Sequence, residues 1–201
     1  MFPSPSGSAP ADTDDAPAPS ADVVQLDVSI LPTTQGPRLA AAPALSVWTG
    51  GLGAPAGAGD YTDHHGLVTD MSEAAKHQIA QWARAYTNGD SAGLLTLTGD
   101  QNPRHRYVGL SGFTLPDSAD AVRITSAIRA SNGRVVARTR VLLAKAVPNG
   151  TASDGQVARF LAFADFDLLV AAPNGARPLI LAWGPAGSAA GLEPYSNAID
   201  F

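Results

Sequence analysis

An α+β domain is the fold class this sequence predicts, with helices first and a hairpin-built antiparallel sheet after them. Three observations predict it. Ala75, Ile79, Trp82 and Tyr86 recur at i, i+4, i+7 and i+11, which puts them on one face of a helix over residues 71–87. From residue 122 onward the apolar period becomes two. Asn132-Gly133 and Asn174-Gly175 separate successive apolar runs, and such pairs suit hairpin turns with positive φ. Helices gathered ahead of strands make the α+β pattern rather than an alternating α/β one.

The elements follow in order. Residues 1–22 are mostly Pro, Ser, Ala and Asp, and Asp12, Asp14, Asp15, Asp22 and Asp27 all precede the first basic residue, Arg38. That composition predicts a disordered acidic tail. A basic partner could receive it, but a plain solvated linker is the simpler reading. Val23–Leu31 alternates weakly and predicts a strand, and the Pro-Thr-Thr-Gln-Gly-Pro stretch after it is turn chemistry. Leu39–Trp48 is apolar but broken by Pro43, so it predicts an edge strand. One strand pair is not stable alone. Residues 23–48 therefore read as the strand-like remnant of a preceding domain, obliged to pack on something else. Residues 49–69, with GGLGAPAGAG inside them, read as a Gly-rich linker, and 70–201 as the folded domain.

Within 70–201, Asp70 and Glu73 resemble a capping box with Asp70 as N-cap, and Asn88-Gly89 is a helix stop. Asp90 can cap a second short helix, Ser91–Leu97. Tyr107–Phe113 is a short strand candidate. Val122, Ile124 and Ile128 alternate with Arg123, Thr125 and Arg129. In the return strand Arg134–Ala144, Val135, Ala137, Thr139, Val141 and Leu143 share one face, while Arg134, Val136, Arg138 and Arg140 share the other. A loop is predicted at 148–155. In Val157–Ala171, Phe160, Ala162, Ala164, Phe166, Leu168 and Val170 share a face, and Asp165 and Asp167 lie opposite. Leu179–Trp183 returns. A long curved sheet around an N-terminal helix is the nuclear-transport-factor-2-like (NTF2-like, cystatin-like) cone in outline.

Composition narrows the function. The chain has no cysteine, which removes disulfides, thiol nucleophiles and iron–sulfur clusters. Its net charge of −5 argues against a protein whose work is neutralising nucleic-acid phosphates, so no direct nucleic-acid contact is expected. No apolar run approaches 18 residues, so no membrane span is expected. The start MFPSPSGSAPADTDD lacks the features of a signal peptide.

The candidate sites are few. Arg138, Arg140, Asp165 and Asp167 alternate outward on what should be neighbouring strands. They form the candidate interaction surface, with cross-strand pairing on a solvated face as the simpler account. Trp82, Tyr86, Tyr107 and Trp183 are the candidate pocket residues. Asp63-His64-His65 could ligate a metal, but adjacent side chains point apart, and no metal or cofactor is expected. His77 lies off the apolar helix face, and Arg104-His105-Arg106 reads as a solvated basic loop. Ser111 lacks the strand–turn–helix setting of a nucleophile elbow. The inward-reading strand faces carry no ionisable group, so the expected interior has no acid or base for catalysis.

Three segments, in this order, carry a resemblance: QWARAYTNGDSAGLLTLTGD (Gln81–Asp100), GLSGF (Gly109–Phe113) and LAWGPAGSAAGLEPYSNAI (Leu181–Ile199). Over about residues 70–200 the chain resembles the C-terminal domain of the TcpC family of conjugative-transposon proteins, in its actinobacterial form. That family is similar in fold to assembly factors of type IV secretion systems. The resemblance implies a non-catalytic scaffold with tandem cone-like domains outside the membrane. Its implied partners are other transfer-apparatus proteins, a cell-wall hydrolase, or further copies of itself as a homo-oligomer. It implies the extracytoplasmic side of the cell envelope. The chain departs from the family in having no anchor and no complete first domain. It reads as a truncated product or fragment, or as a stand-alone relative that would be cytoplasmic if complete as it stands. Membrane contact would then come through a missing anchor or a partner. The alternatives are a small-molecule binding protein or isomerase- or hydrolase-type enzyme on the same fold, and a secreted or lipid-linked surface protein.

Overall fold

A computed structural model describes residues 24–28, 30–39, 43–47, 70–151 and 157–200. The expected tail at 1–22 and linker at 49–69 lie outside the described residues. The fold is α+β with antiparallel sheets.

Helix α1 spans Glu73–Thr87 and buries Ala75, Ile79, Trp82 and Tyr86, the residues its periodicity selected. Its N-cap is Ser72, not Asp70. The Ser72 hydroxyl accepts from the Ala75 N–H and donates to the Pro173 carbonyl. An ionised carboxylate only accepts, so a serine can join the helix to a distant turn where an aspartate cannot. Asn88 closes α1, its N–H reaching the Arg84 carbonyl at 3.1 Å. Helix α2 (Ser91–Thr98) starts at Asp90, whose carboxylate accepts the Gly93 N–H, and ends at Gly99 with φ 65°.

The N-terminal stretch folds as nested strand pairs: β1 (Val24–Asp27) with β4 (Ala44–Val47), and β2 (Ile30–Leu31) with β3 (Arg38–Leu39). It does pack on the rest. Ala44 is buried in the main core, and the Leu45 carbonyl accepts the Tyr86 hydroxyl at 3.2 Å.

Tyr107–Phe113 is not a strand. Pairing is confined to β5 (His105–Arg106), which meets β10 (Ile199–Asp200). The reason is Gly109. Its backbone presses so close to α1 that a Cβ would lie 2.4 Å from the Tyr86 oxygen. The next amide, Leu110, donates to that same carbonyl at 2.7 Å. The main-chain bonds of this segment go to the end of a helix, and Gly112 at φ 75° breaks the extended run.

The main sheet runs in the order β6 (Val122–Arg129), β7 (Val135–Thr151), β8 (Val157–Ala171), β9 (Leu179–Pro185). Asn132 and Gly133 both take positive φ, at 59° and 67°, in a turn closed by Ala130 N–H to the Arg134 carbonyl. A register shift between Ile124 and Ser126 reverses the parity of the strand beyond it. Ile128 therefore leaves the face of Val122 and Ile124 for the opposite one, and Ala127 takes its place in the main core. Strand β7 continues to Thr151, through the first half of the expected 148–155 loop. Pairing becomes irregular between Ala146 and Thr151, where Pro148 removes a donor.

The inner face of the sheet carries Val135, Ala137, Thr139, Val141, Leu143, Ala164, Phe166, Leu168 and Val170, all buried. Those apolar residues share one core with α1 and α2. On the outer face a second cluster (Ile128, Val136, Leu169, Leu181 and Ala182) is covered by Leu192 and Tyr195 from the C-terminal return.

Candidate functional site

The four candidate pocket residues do come together, as a packed cluster rather than the rim of an opening. Trp82 and Tyr86 stack with ring centroids 5.1 Å apart. Trp183 lies 5.8 Å from Trp82, 6.1 Å from Tyr86 and 5.7 Å from Tyr107. Phe166 meets Trp82 and Tyr86 edge-on, at 5.4 Å from each. All five rings are buried. Aromatic rings in such offset and edge-on pairs fill volume and attract one another. Trp82 Nε1 and Thr139 Oγ1 are buried here without a hydrogen-bond partner.

The buried charged residues among the described ones are Asp165 and Asp167, both on the outer face. Register sets Arg138 opposite Asp167 and Arg140 opposite Asp165. Both pairs are two-pronged: Arg138 reaches Asp167 at 3.0 and 3.4 Å, and Arg140 reaches Asp165 at 2.8 and 2.8 Å. The pairing expected from alternation is present, but the solvated face is not. The Asp167 and Asp165 side chains are 0% and 4% exposed, against 15% for Arg138 and 43% for Arg140. The cover is the chain after β9. Ala186 N–H donates to the Asp165 carbonyl, and Gly187 N–H, at φ 100°, donates to the Asp167 carboxylate at 2.7 Å. Charge-assisted bonds of this kind let a carboxylate sit inside. Asp167 therefore holds the C-terminal return by its carboxylate and Asp165 by its backbone carbonyl, and Arg140 alone of the four keeps a large exposed fraction.

A polar cluster the sequence did not single out lies beside the aromatic interior. Asp100 Oδ2 accepts the Tyr107 hydroxyl at 2.6 Å and lies 2.5 Å from His105 Nδ1. The other ring nitrogen, His105 Nε2, is 3.4 Å from the exposed Asp200. Burial pushes the Asp100 carboxyl up, but bonds from Tyr107, the Asn102 amide and His105, with the His105 charge, outweigh it and hold the group below its ordinary value. Burial, then the bond to Asp100, pushes the Tyr107 hydroxyl well above the ordinary phenol range. His105 is thus no solvated loop residue. The signal for it was the spacing Asp100-x4-His105-x-Tyr107 around a tight Asn-Pro turn, which only tertiary contact gathers. Arg104 and Arg106 are exposed, as are His77 and Ser111. Asp63, His64 and His65 lie outside the described residues. Among those described, no group of three His, Cys, Asp or Glu residues could hold a metal ion.

The C-terminal motif has a definite structural task. Asn197 donates to the Trp183 carbonyl and accepts the Trp183 N–H, each at 2.8 Å. Tyr195, at φ 65°, donates its N–H to the Leu181 carbonyl at 2.8 Å. Side-chain amide and main chain together take the place of a fifth strand along β9. No described helix is long and apolar enough to cross a membrane. The chain matches no family model, no curated protein and no solved structure.

Proposed function

We propose that this chain is a non-enzymatic assembly component of a conjugative DNA-transfer apparatus, built as an NTF2-like cone and acting by protein–protein contact. One observation carries the non-catalytic part. The interior is filled by stacked aromatic rings, Asp165 and Asp167 lie on the far side of the sheet, and the third buried carboxylate, Asp100, is engaged by Tyr107 and His105 at the edge of the ring cluster. A catalytic cone needs an acid or base inside its cavity with room for substrate. The three segments that resemble the TcpC family support the apparatus. Two of them have a structural task here: Gly109 at the helix end in the second, and the 186–188 turn over the ion pairs with Asn197 on β9 in the third. The partners are then other transfer proteins on the extracytoplasmic side of the envelope. The test is deletion in the host with co-purification. The expected result is a fall in transfer frequency and recovery of other transfer proteins. Unchanged transfer with no such protein recovered overturns the reading.

A second reading, a small-molecule binding protein or isomerase- or hydrolase-type enzyme, is favoured by the Asp100–His105 pair. A carboxylate on Nδ1 orients an imidazole for proton transfer at Nε2. A metabolite library that raises the melting temperature of the native chain, but not of His105→Gln, selects this reading over the first.

A further inference from the structure

We propose that the open edge of β8 is where two copies of this chain pair, strand to strand, about a two-fold axis at Leu161. In β8 the odd-numbered residues face β9: Asp167 pairs with Gly184, and the Asp165 carbonyl accepts the Ala186 N–H. By the alternation of an antiparallel ladder, the main-chain groups of Phe163, Leu161 and Arg159 point the same way. Strand β9 ends at Pro185, beside Phe166, and no described residue pairs with those three on that side. The same residues carry exposed side chains, with Leu161 at 56% and Phe163 at 54%. An open edge flanked by large apolar groups is a template for another strand.

The margins of the sheet at β9 and at β6 are closed to such pairing. The side of β9 is taken by Asn197 and Tyr195. Strand β6 carries a bulge and the exposed Arg123 and Arg129, which is how native edges are kept single.

Self-complementarity points to a second copy as occupant. Setting Leu161 against its own image places Arg159 against the image of Phe163, twice over. All three are hydrogen-bonding positions on the same edge, so the register closes with about six main-chain bonds. The contact of cation and ring it creates already exists within one chain, where Arg140 lies 5.8 Å from the Phe163 ring centroid. The two Arg159 side chains end up about four residues apart along the joined strands, roughly 14 Å, so they do not oppose each other.

Sedimentation of the full chain is expected to show a concentration-dependent dimer. Phe163→Asp and Leu161→Lys should each weaken it by about tenfold or more, with unchanged melting of the monomer. The absence of native cysteine allows a positional test. In a hydrogen-bonded antiparallel pair the facing Cα atoms are about 5.5 Å apart, within disulfide reach. Leu161→Cys should therefore bridge two copies under mild oxidation, and Arg123→Cys should not. A strictly monomeric chain, a dimer indifferent to both edge substitutions, or equal bridging from Arg123→Cys would each overturn the proposal. None of these results depends on the transfer-apparatus reading, since host deletion tests that separately.

Discussion

Near the middle of the sheet, the β7–β8 pair has α1 against its inner face and the C-terminal return over its outer face. Beyond Asp165 the outer face leaves Leu161 and Phe163 exposed. The usual ordering of polarity is inverted between the two stretches. Asp167 is fully buried in the covered one, while Phe163, four residues back along the same strand face, is half exposed. Burial here follows which backbone arrives, not which side chain is greasy. Gly187 brings an amide to Asp167, so a charge can be enclosed. No described backbone amide or carbonyl pairs with Phe163 on the β9 side.

The largest effect expected within the covered region is from Trp82→Ala, at about 3–5 kcal/mol of unfolding free energy in a urea titration. A cost under about 1 kcal/mol would mean that the ring cluster is loosely filled. Next come the two ion pairs, which test cover directly. Arg138→Met leaves Asp167 buried beside a single amide and should cost about 3 kcal/mol. Arg140→Met removes a half-exposed partner and should cost nearer 1 kcal/mol. Equal losses for the two would show that the Gly187 turn contributes nothing. Restoring stability in Arg138→Met by adding Asp167→Leu would identify the enclosed lone charge as the cost.

Asn197→Ala should cost about 1–2 kcal/mol and speed hydrogen exchange at the Trp183 amide, since two groups lose their partner together. Both would be untouched if water replaced the amide at no cost.

A smaller effect concerns pH. The Asp100 carboxyl is depressed, so its contribution is present above the unfolded-chain value of about 3.9 and is lost as pH falls through the lower folded value. Tyr107 runs the other way. Its hydroxyl is raised, so its contribution holds below the ordinary phenol value of about 10 and is lost as pH rises above it. Asp100→Asn should flatten the acid limb of a stability-against-pH curve and leave the region near neutrality lower. The smallest effect is on the exposed stretch, where Phe163→Asp should change monomer stability by less than about 0.5 kcal/mol.

The helix, the two-residue strand period and the inward faces of β7 and β8 were legible because each is set by local spacing. So was the pairing of Arg138 and Arg140 with Asp167 and Asp165, which needs only alternation and adjacency. Three things were not legible. Ile128 changed faces because a bulge at Thr125 leaves no compositional mark. Ser72 displaced Asp70 as cap because its second bond goes to Pro173, about a hundred residues away. The burial of Asp165 and Asp167, and the gathering of Asp100, His105 and Tyr107, depend on where the chain returns after β9 and α2. Nothing within either neighbourhood encodes that return.

Asn197 has a last consequence for size. Asn197 seals the free side of β9, the bulge and arginines of β6 guard the opposite margin, and a symmetric partner uses up the stretch of β8 left open beyond Pro185. Such an assembly stops at two copies and cannot lengthen into a fibre. Release of the whole return, Asn197 and Tyr195 together, would free β9 as a second edge and let chains of this protein polymerise.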